Sequence, residues 1–154
     1  MDDITFAPAS ADDLIAIRAL LEECGLPTAD LHDGLLEHFT VCRLGERIVG
    51  TIGLEVFAET ALLRSLAVAP GQRGQRLAHD LWARVRDQAR ARGIRRLYLL
   101  TTTAEALFAR WGFARVARDA VPVAVQATSE YSALCPSTAV VMAIDVATPD
   151  QRGG

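Results

Sequence analysis

Six consecutive residues, Gly71-Gln72-Arg73-Gly74-Gln75-Arg76, carry the clearest chemical pattern in the chain. They stand directly ahead of a stretch with helical periodicity, so the unpaired N–H groups and the positive dipole end of that helix converge on one spot. Phosphate suits such a spot, although glycines kept for turn geometry alone would give the same letters. Arg64 is the next candidate. It lies in an otherwise apolar run, where a guanidinium needs an anionic partner or an exit to water: either a ligand oxyanion or an internal carboxylate. Glu55, Glu130 and Cys135 are the groups able to move a proton or attack a carbonyl, and each has a plain alternative. Glu55 can face solvent beside Phe57, Glu130 can sit in the first turn of a short helix capped by Thr128, and Cys135 can be a small packed side chain.

Other chemistries find little support. Cys24, Cys42 and Cys135 are odd in number and far apart, and His32, His38 and His79 add no cluster, so neither a disulfide framework nor a metal is expected. No Ser-His or Cys-His pair is placed by motif to form a covalent acyl intermediate. Charge is distributed unevenly. The net charge of -3 conceals -9 up to Leu63, +9 from Arg64 to Arg118, and -3 over the remainder. A polyanion belongs against the middle segment. Nucleic acid is disfavoured, because the arginines lack interleaved aromatics and their flanks are acidic.

The elements that would position these residues follow from periodicity. Leu62 to Val68 is an apolar strand stopped by Pro70 and Gly71. Leu77, Ala78, Leu81, Trp82, Val85 and Ala89 then make one face of a helix whose other face carries Arg84, Arg86, Arg90 and Arg92. Upstream, Ile4 to Ala7 reads as a strand. A Ser10/Asp13 box precedes the stripe Leu14, Ile17, Leu20, Leu21 and Cys24, and a second short helix is expected from Pro27 to about His38. Thr40 to Leu44, Ile48 to Phe57 and Thr60 to Val68 read as antiparallel strands joined at Gly45-Glu46 and Ala58-Glu59. Downstream, Gly93 ends the central helix and Arg96 to Thr101 is a buried strand expected to run parallel to Thr60–Val68. Thr103 caps a helix through Trp111, and Phe113 to Val116 is a sixth strand. Arg118 to Pro136 is irregular apart from a turn near Ser129 to Leu134, and Ala139 to Val146 is the last strand. One domain over 1–147 is expected, with 148–154 as a disordered tail. The acidic start Met1-Asp2-Asp3 and the lack of a membrane-length apolar run predict a soluble, cytoplasmic protein with no membrane partner.

Taken together, Val68-x-Pro70-x-x-Arg73-Gly74-x-x-Leu77-Ala78-x-x-Leu81 resembles the acetyl-CoA signature of the GNAT acetyltransferase superfamily. Arg76 stands where most members have the central glycine. The resemblance implies an α/β (α+β) domain, with a mixed central sheet of about seven strands flanked by helices. It also implies acetyl-CoA as co-substrate and transfer of the acetyl group to the amine of a small molecule, with a homodimer formed through late strands. Cofactor contacts would fall on Leu66, Ala67 and Val68, on the loop Arg73, Gly74, Gln75 and Arg76, on Leu77 and Ala78, and on Thr101, Ala104 and Phe108. Within that set the backbone N–H near Leu66 would meet the thioester oxygen. Arg64 and Ser65 would face the acceptor, which Arg64 makes anionic if its partner is a ligand. The family's common tyrosine acid and its asparagine are replaced by Phe108 and Thr101, leaving Glu55, Glu130 and Cys135 as catalytic candidates.

A narrower likeness joins Leu63 to Val68, Leu97 to Glu105, and Leu134-Cys135-Pro136 with Ala139, Val140 and Met142. These blocks resemble the arsenic-resistance N-acetyltransferase branch, which implies an amine-bearing acceptor such as an organoarsenical amino acid. Two alternatives stay open: an antibiotic-like or amino-acid amine unrelated to arsenic, and a non-catalytic acyl-CoA-binding protein.

Overall fold

The computed structural model describes residues 3–73, 76–128, 131 and 139–146. Seven strands form one mixed sheet in the order β1-β2-β3-β4-β5-β7-β6. The chain divides into two compact units, residues 1–55 with 64–87 and residues 56–63 with 88–154, so that β4 contributes to both.

In the first unit, β1 (Ile4–Pro8) lies antiparallel to β2 (Phe39–Leu44), with Ile4 opposite Leu44 and Pro8 opposite Thr40. The two-residue turn at Gly45-Glu46 returns the chain as β3 (Arg47–Phe57), with Phe39 opposite Gly53 and a register shift at Cys42/Arg43. The Ser10/Asp13 box forms: the Ser10 N–H donates to the Asp13 carboxylate at 2.9 Å, and Arg43 holds the same carboxylate at 2.5 Å. Behind it α1 (Leu14–Glu23) buries the Ile17, Leu20 and Leu21 stripe. The expected second helix is shorter than its pattern. Only Asp33–His38 coils, as a 3-10 helix, because Pro27 lacks an N–H, Gly34 weakens helix propagation, and Asp30 is drawn away to Arg64. Past β4 (Thr60–Val68), α2 (Leu77–Ala91) buries Leu77, Leu81, Trp82 and Val85. Each such side chain contributes about 1.5–3 kcal/mol, enough to hold a helix whose other face is arginine-rich.

The second unit is organised by β5 (Arg96–Thr101). It pairs parallel with the start of β4, Thr60 opposite Arg96 and Leu62 opposite Tyr98, as expected from a strand-helix-strand crossover. On its other side it pairs antiparallel with β7 (Val140–Asp145) through six residue pairs. Leu62, Tyr98, Val121, Val125, Val141 and Ala143 form a core cluster, with Phe57, Leu100, Val116 and Tyr131 packed against it. Gly93, at a φ of 81°, lets the Ile94 N–H reach back to the Ala89 carbonyl at 2.9 Å and closes α2.

Four expectations are corrected here. Ala104, not Thr103, is the residue before α3 (Glu105–Arg110), and it makes no side-chain cap. The turn is closed instead by the Thr101 hydroxyl, which accepts the Ala104 N–H at 3.0 Å. β6 is only Ala114–Arg115, because Phe113 turns its ring onto Phe108. A helix α4 (Val123–Gln126), absent from the sequence reading, follows Pro122 and buries Val125. The strand at 139–146 is one residue shorter at each end, as β7. The turn expected at 129–134 and the tail 148–154 fall almost wholly outside the described residues.

Gly53 marks the tightest approach in the first unit. A Cβ added there would lie 2.2 Å from the Phe39 ring, which rests against the β3 backbone. Gly53→Ala is expected to lower unfolding free energy by about 1–3 kcal/mol in urea titrations, through overpacking alone.

Candidate functional site

The junction from β4 to α2 is built from the residues that the sequence singles out. Val68 ends the strand, and the Ala69 N–H donates to the Val49 carbonyl at 2.8 Å, tying the exit to β3. Pro70–Gln72 makes one 3-10 turn, after which Arg73 folds back. Its Nε donates to the Val68 carbonyl at 3.2 Å, and a second guanidinium nitrogen approaches Cys24 Sγ at 3.4 Å. Gly74 and Gln75 lie outside the described residues. Arg76 then takes a φ of 64°, the left-handed region, and its carbonyl accepts the first helical N–H, from Asp80, at 3.0 Å. This is the position occupied by glycine in the resembled signature. The backbone keeps the glycine-like conformation although the residue has a Cβ, at a cost of about 1–2 kcal/mol. The Arg76 side chain is exposed and makes no ion pair among the described residues.

On β4 itself, Leu66 is half-buried while Ala67 and Val68 are buried. Ser65 has a φ of 58°, a second left-handed non-glycine residue. It follows Arg64, whose side chain has no exposure at all. That guanidinium meets Asp30 through both terminal nitrogens, at 2.5 and 2.8 Å, and Glu55 at 2.7 Å, while its Nε donates to Ser65 Oγ at 3.1 Å. Of the two readings of Arg64, the internal carboxylate is the one found. With two carboxylates and a hydroxyl on it, the group has no face left for a ligand oxyanion. Burial pushes the Asp30 carboxyl up, but hydrogen bonds and charge from Arg64 overcome this and hold it below the usual carboxylate range. Glu55 therefore sits neither free nor simply beside Phe57. It is a fixed carboxylate with 16% of its side chain open, next to a cation with none.

Asp30 is a participant that sequence reasoning missed. The signal was Arg64's need for an acid, but a partner 34 residues earlier in a loop has no spacing rule to reveal it.

The remaining candidates are placed as follows. Thr101 ends β5, Ala104 precedes α3 and Phe108 lies within it, all in the second unit. There Phe108 packs edge-on against Trp111 and Phe113, with ring centroids 5.5 and 5.7 Å away. Glu130 and Cys135 lie outside the described residues. Beside them, Thr128 Oγ1 accepts the Tyr131 N–H at 3.2 Å, a capping contact of the expected kind. Cys42 is no nucleophile, since burial and the nearby Asp80 charge push its thiol up to about 11. Among the described residues no three His, Cys, Asp or Glu side chains cluster as metal ligands, and no helix is long and apolar enough to cross a membrane.

A seven-strand mixed sheet whose fourth strand turns through such a loop into a helix defines a class. The chain belongs to the Acetyltransferase (GNAT) family, whose model matches residues 10–113. No curated protein matches it in sequence. Among solved structures it is similar to N-acetylglutamate synthase from Neisseria gonorrhoeae complexed with coenzyme A and N-acetyl-glutamate. The TM-score there is 0.82 at 23% identity, covering 95% of this chain and 36% of that one. It thus spans only about a third of that longer protein. It is also similar to a Mycobacterium tuberculosis protein in complex with CoA and a second ligand, with a TM-score of 0.74 at 22% identity over 92% of this chain and 98% of that one. The ribosomal-protein-S18-alanine N-acetyltransferase from Escherichia coli gives a TM-score of 0.67 at 17% identity over 95% and 96%. At these identities the likeness establishes the shared fold.

Two outcomes follow for stability. Arg64→Met strands Asp30 and Glu55 against each other and is expected to cost about 3–5 kcal/mol in urea unfolding at pH 7. Because the Asp30 carboxyl is held below 3.8 in the fold, its stabilisation is complete above that value and is lost as pH falls through the lower folded value. The gap between wild type and variant should therefore narrow in strong acid. Arg76→Gly, by contrast, is expected to raise stability by about 0.5–1 kcal/mol, measured the same way.

Proposed function

We propose that the protein is an acetyl-CoA-dependent N-acetyltransferase that acetylates the amine of a small molecule by direct attack in a ternary complex. The observation that carries this reading is the β4-to-α2 junction in a chain of the GNAT family. It combines a helix N-terminus, an exposed Arg76 in a glycine-like conformation, and Arg73 beside the strand end. Donors and positive charge of this kind fit a pyrophosphate. The coenzyme A complexes of the structural neighbours support the same ligand class.

Acetyl-CoA would supply an activated carbonyl whose leaving group is a thiol. The chain's own part is to hold the phosphates with the loop and the arginines, and to pair Leu66, Ala67 and Val68 backbone groups with the cofactor's amide arm. The Leu66 N–H would donate to the thioester oxygen, and a base would take a proton from the ammonium. That base would take one proton first, freeing the lone pair; as the C–N bond forms and the C–S bond breaks, the nitrogen's second surplus proton would pass through solvent to the departing thiolate. A tyrosine acid is not indispensable, because a thiolate is a competent leaving group. Thr101, Ala104 and Phe108 belong to the proposed cofactor set, and Ser65 to the acceptor side. Glu130 and Cys135 are further catalytic candidates besides Glu55.

The acceptor is read from a weaker signal. The arsenic-branch likeness nominates an organoarsenical amino acid, to be assayed beside antibiotic-like and amino-acid amines. An anionic group on that acceptor would need a cation other than Arg64. Release of coenzyme A that depends on added amine tests the reading. Tight acetyl-CoA binding without release across the panel would instead identify a sensor, and no binding at all would end the assignment. Arg73→Glu is expected to raise the acetyl-CoA dissociation constant at least tenfold by calorimetry, because attraction to phosphate becomes repulsion. Unchanged affinity would remove Arg73 from the site.

A further inference from the structure

We propose that Asp30 and Arg64 are a positioning pair for Glu55, and that Glu55 is the proton acceptor for an acceptor molecule presenting an ammonium group to this cluster. The inference rests on the transferase reading above. Its starting point is how exposure is divided among three charged groups of the first unit. The Arg64 side chain is completely sealed, whereas Asp30 and Glu55 keep 14% and 16% of theirs open. An approaching molecule therefore meets carboxylate edges and never the guanidinium. With one cation and two anions, the cluster carries a net negative charge and attracts an ammonium rather than an oxyanion.

Geometry gives the three groups different tasks. Arg64 grips Asp30 with two nitrogens, the bidentate arrangement that fixes a guanidinium plane, and reaches Glu55 with one. Only Glu55 Oε2 is held by Arg64, at 2.7 Å, so the carboxylate is oriented while its other oxygen takes no part in that bond. Asp30 answers most of the guanidinium's charge. Were it absent, more of the guanidinium's charge would fall on Glu55. His32, on the same loop, is the other titratable group whose charge reaches Asp30. Ser65 completes the mount, because its Oγ accepts from Arg64 Nε while its backbone stays left-handed. In the reaction Glu55 takes one proton from the ammonium to free its lone pair; the nitrogen then bonds to the acetyl carbon as the C–S bond breaks, its second surplus proton passes through water to the departing thiolate, and Glu55 returns its own proton to water.

The test compares pH profiles of kcat/KM for the full-length protein with one common amine acceptor, so that any displacement between variants belongs to the enzyme. Glu55→Gln is expected to lower kcat/KM by about 10²–10⁴ and to remove the acid limb, with acetyl-CoA affinity unchanged by calorimetry. Asp30→Asn is expected to move the acid limb to lower pH by about one unit and to lower the plateau, since an Arg64 relieved of Asp30 acts more strongly on Glu55. A purely structural Asp30 would reduce stability and leave the limb in place, and that result overturns the inference. If Asp30→Asn does not fold by circular dichroism, Asp30→Glu must restore the wild-type limb, and a Glu55→Gln protein of full activity overturns the inference by itself. A wild type that binds acetyl-CoA but releases no coenzyme A with any amine overturns the transferase reading, an outcome distinct from a turning-over enzyme indifferent to Glu55.

Discussion

A guanidinium with no solvent exposure is the constraint around which the first unit is arranged. Removing such an ion from water costs several kcal/mol, and the cost is met only when carboxylates and hydrogen-bond acceptors surround it. Arg64 has Asp30, Glu55 and Ser65 Oγ around it, drawn from a loop, from β3 and from the adjacent position on β4. Each contact dictates something local. The loop before Asp33 stays out of helix so that Asp30 can arrive, Glu55 is held at one oxygen, and Ser65 is left at a positive φ. A hydrophobic side chain at position 64 would release all three demands, so the ion cluster sets local conformation as much as it stabilises.

The same cluster shows why charge counted along a chain misleads. Arg64 opens the segment of charge +9 and was counted with the groups that face a polyanion, yet its charge is more than balanced within the fold. Arg73 and Arg76, a few residues later, are the exposed ones. The positive field relevant to a phosphate ligand is therefore local to the β4-to-α2 junction, while the surface around Glu55 is acidic. A linear sum already places Asp30 and Glu55 in the segment of charge -9, and what the fold changes is the place of Arg64, which leaves the positive segment to join them.

What could be read from residues alone follows the range of the interactions involved. The α1 and α2 stripes, the hairpin at Gly45-Glu46, the Ser10/Asp13 box and the parallel partnership of β4 and β5 rest on periodicity, turn chemistry or crossover rules, each settled within about thirty residues. The misses lie where no such rule applies. Phe113 leaves its expected strand for a ring on the preceding helix, Val125 is buried from a segment with no clear period, and Asp30 answers an arginine far along the chain. Thr101 is intermediate: its hydroxyl does the capping work that the pattern assigned to Thr103, because two competing threonines in one loop differ only in backbone geometry. The family was legible from the loop, whereas its departure at Arg76 acquired meaning only through a backbone angle.

That angle and the residues of α3 bear on how a member of this family can work without its common acid. Phe108 occupies the tyrosine position and is wedged between Trp111 and Phe113, and the Thr101 hydroxyl is engaged with a backbone N–H. Phe108 has no proton to offer a departing thiolate, and the Thr101 hydroxyl is an acceptor in the bond it makes. The two ends of an acetyl transfer are unequal, however. A thiolate leaves without much help, while an alkylammonium near pKa 10 cannot attack until it loses a proton. Phe108 is an aromatic ring that packs within the second unit, and the first unit holds a sealed arginine with two partly open carboxylates. In that same first unit, Arg76 keeps the left-handed backbone of the glycine it replaces in the resembled signature, so the start of α2 retains its conformation at the expense of local strain.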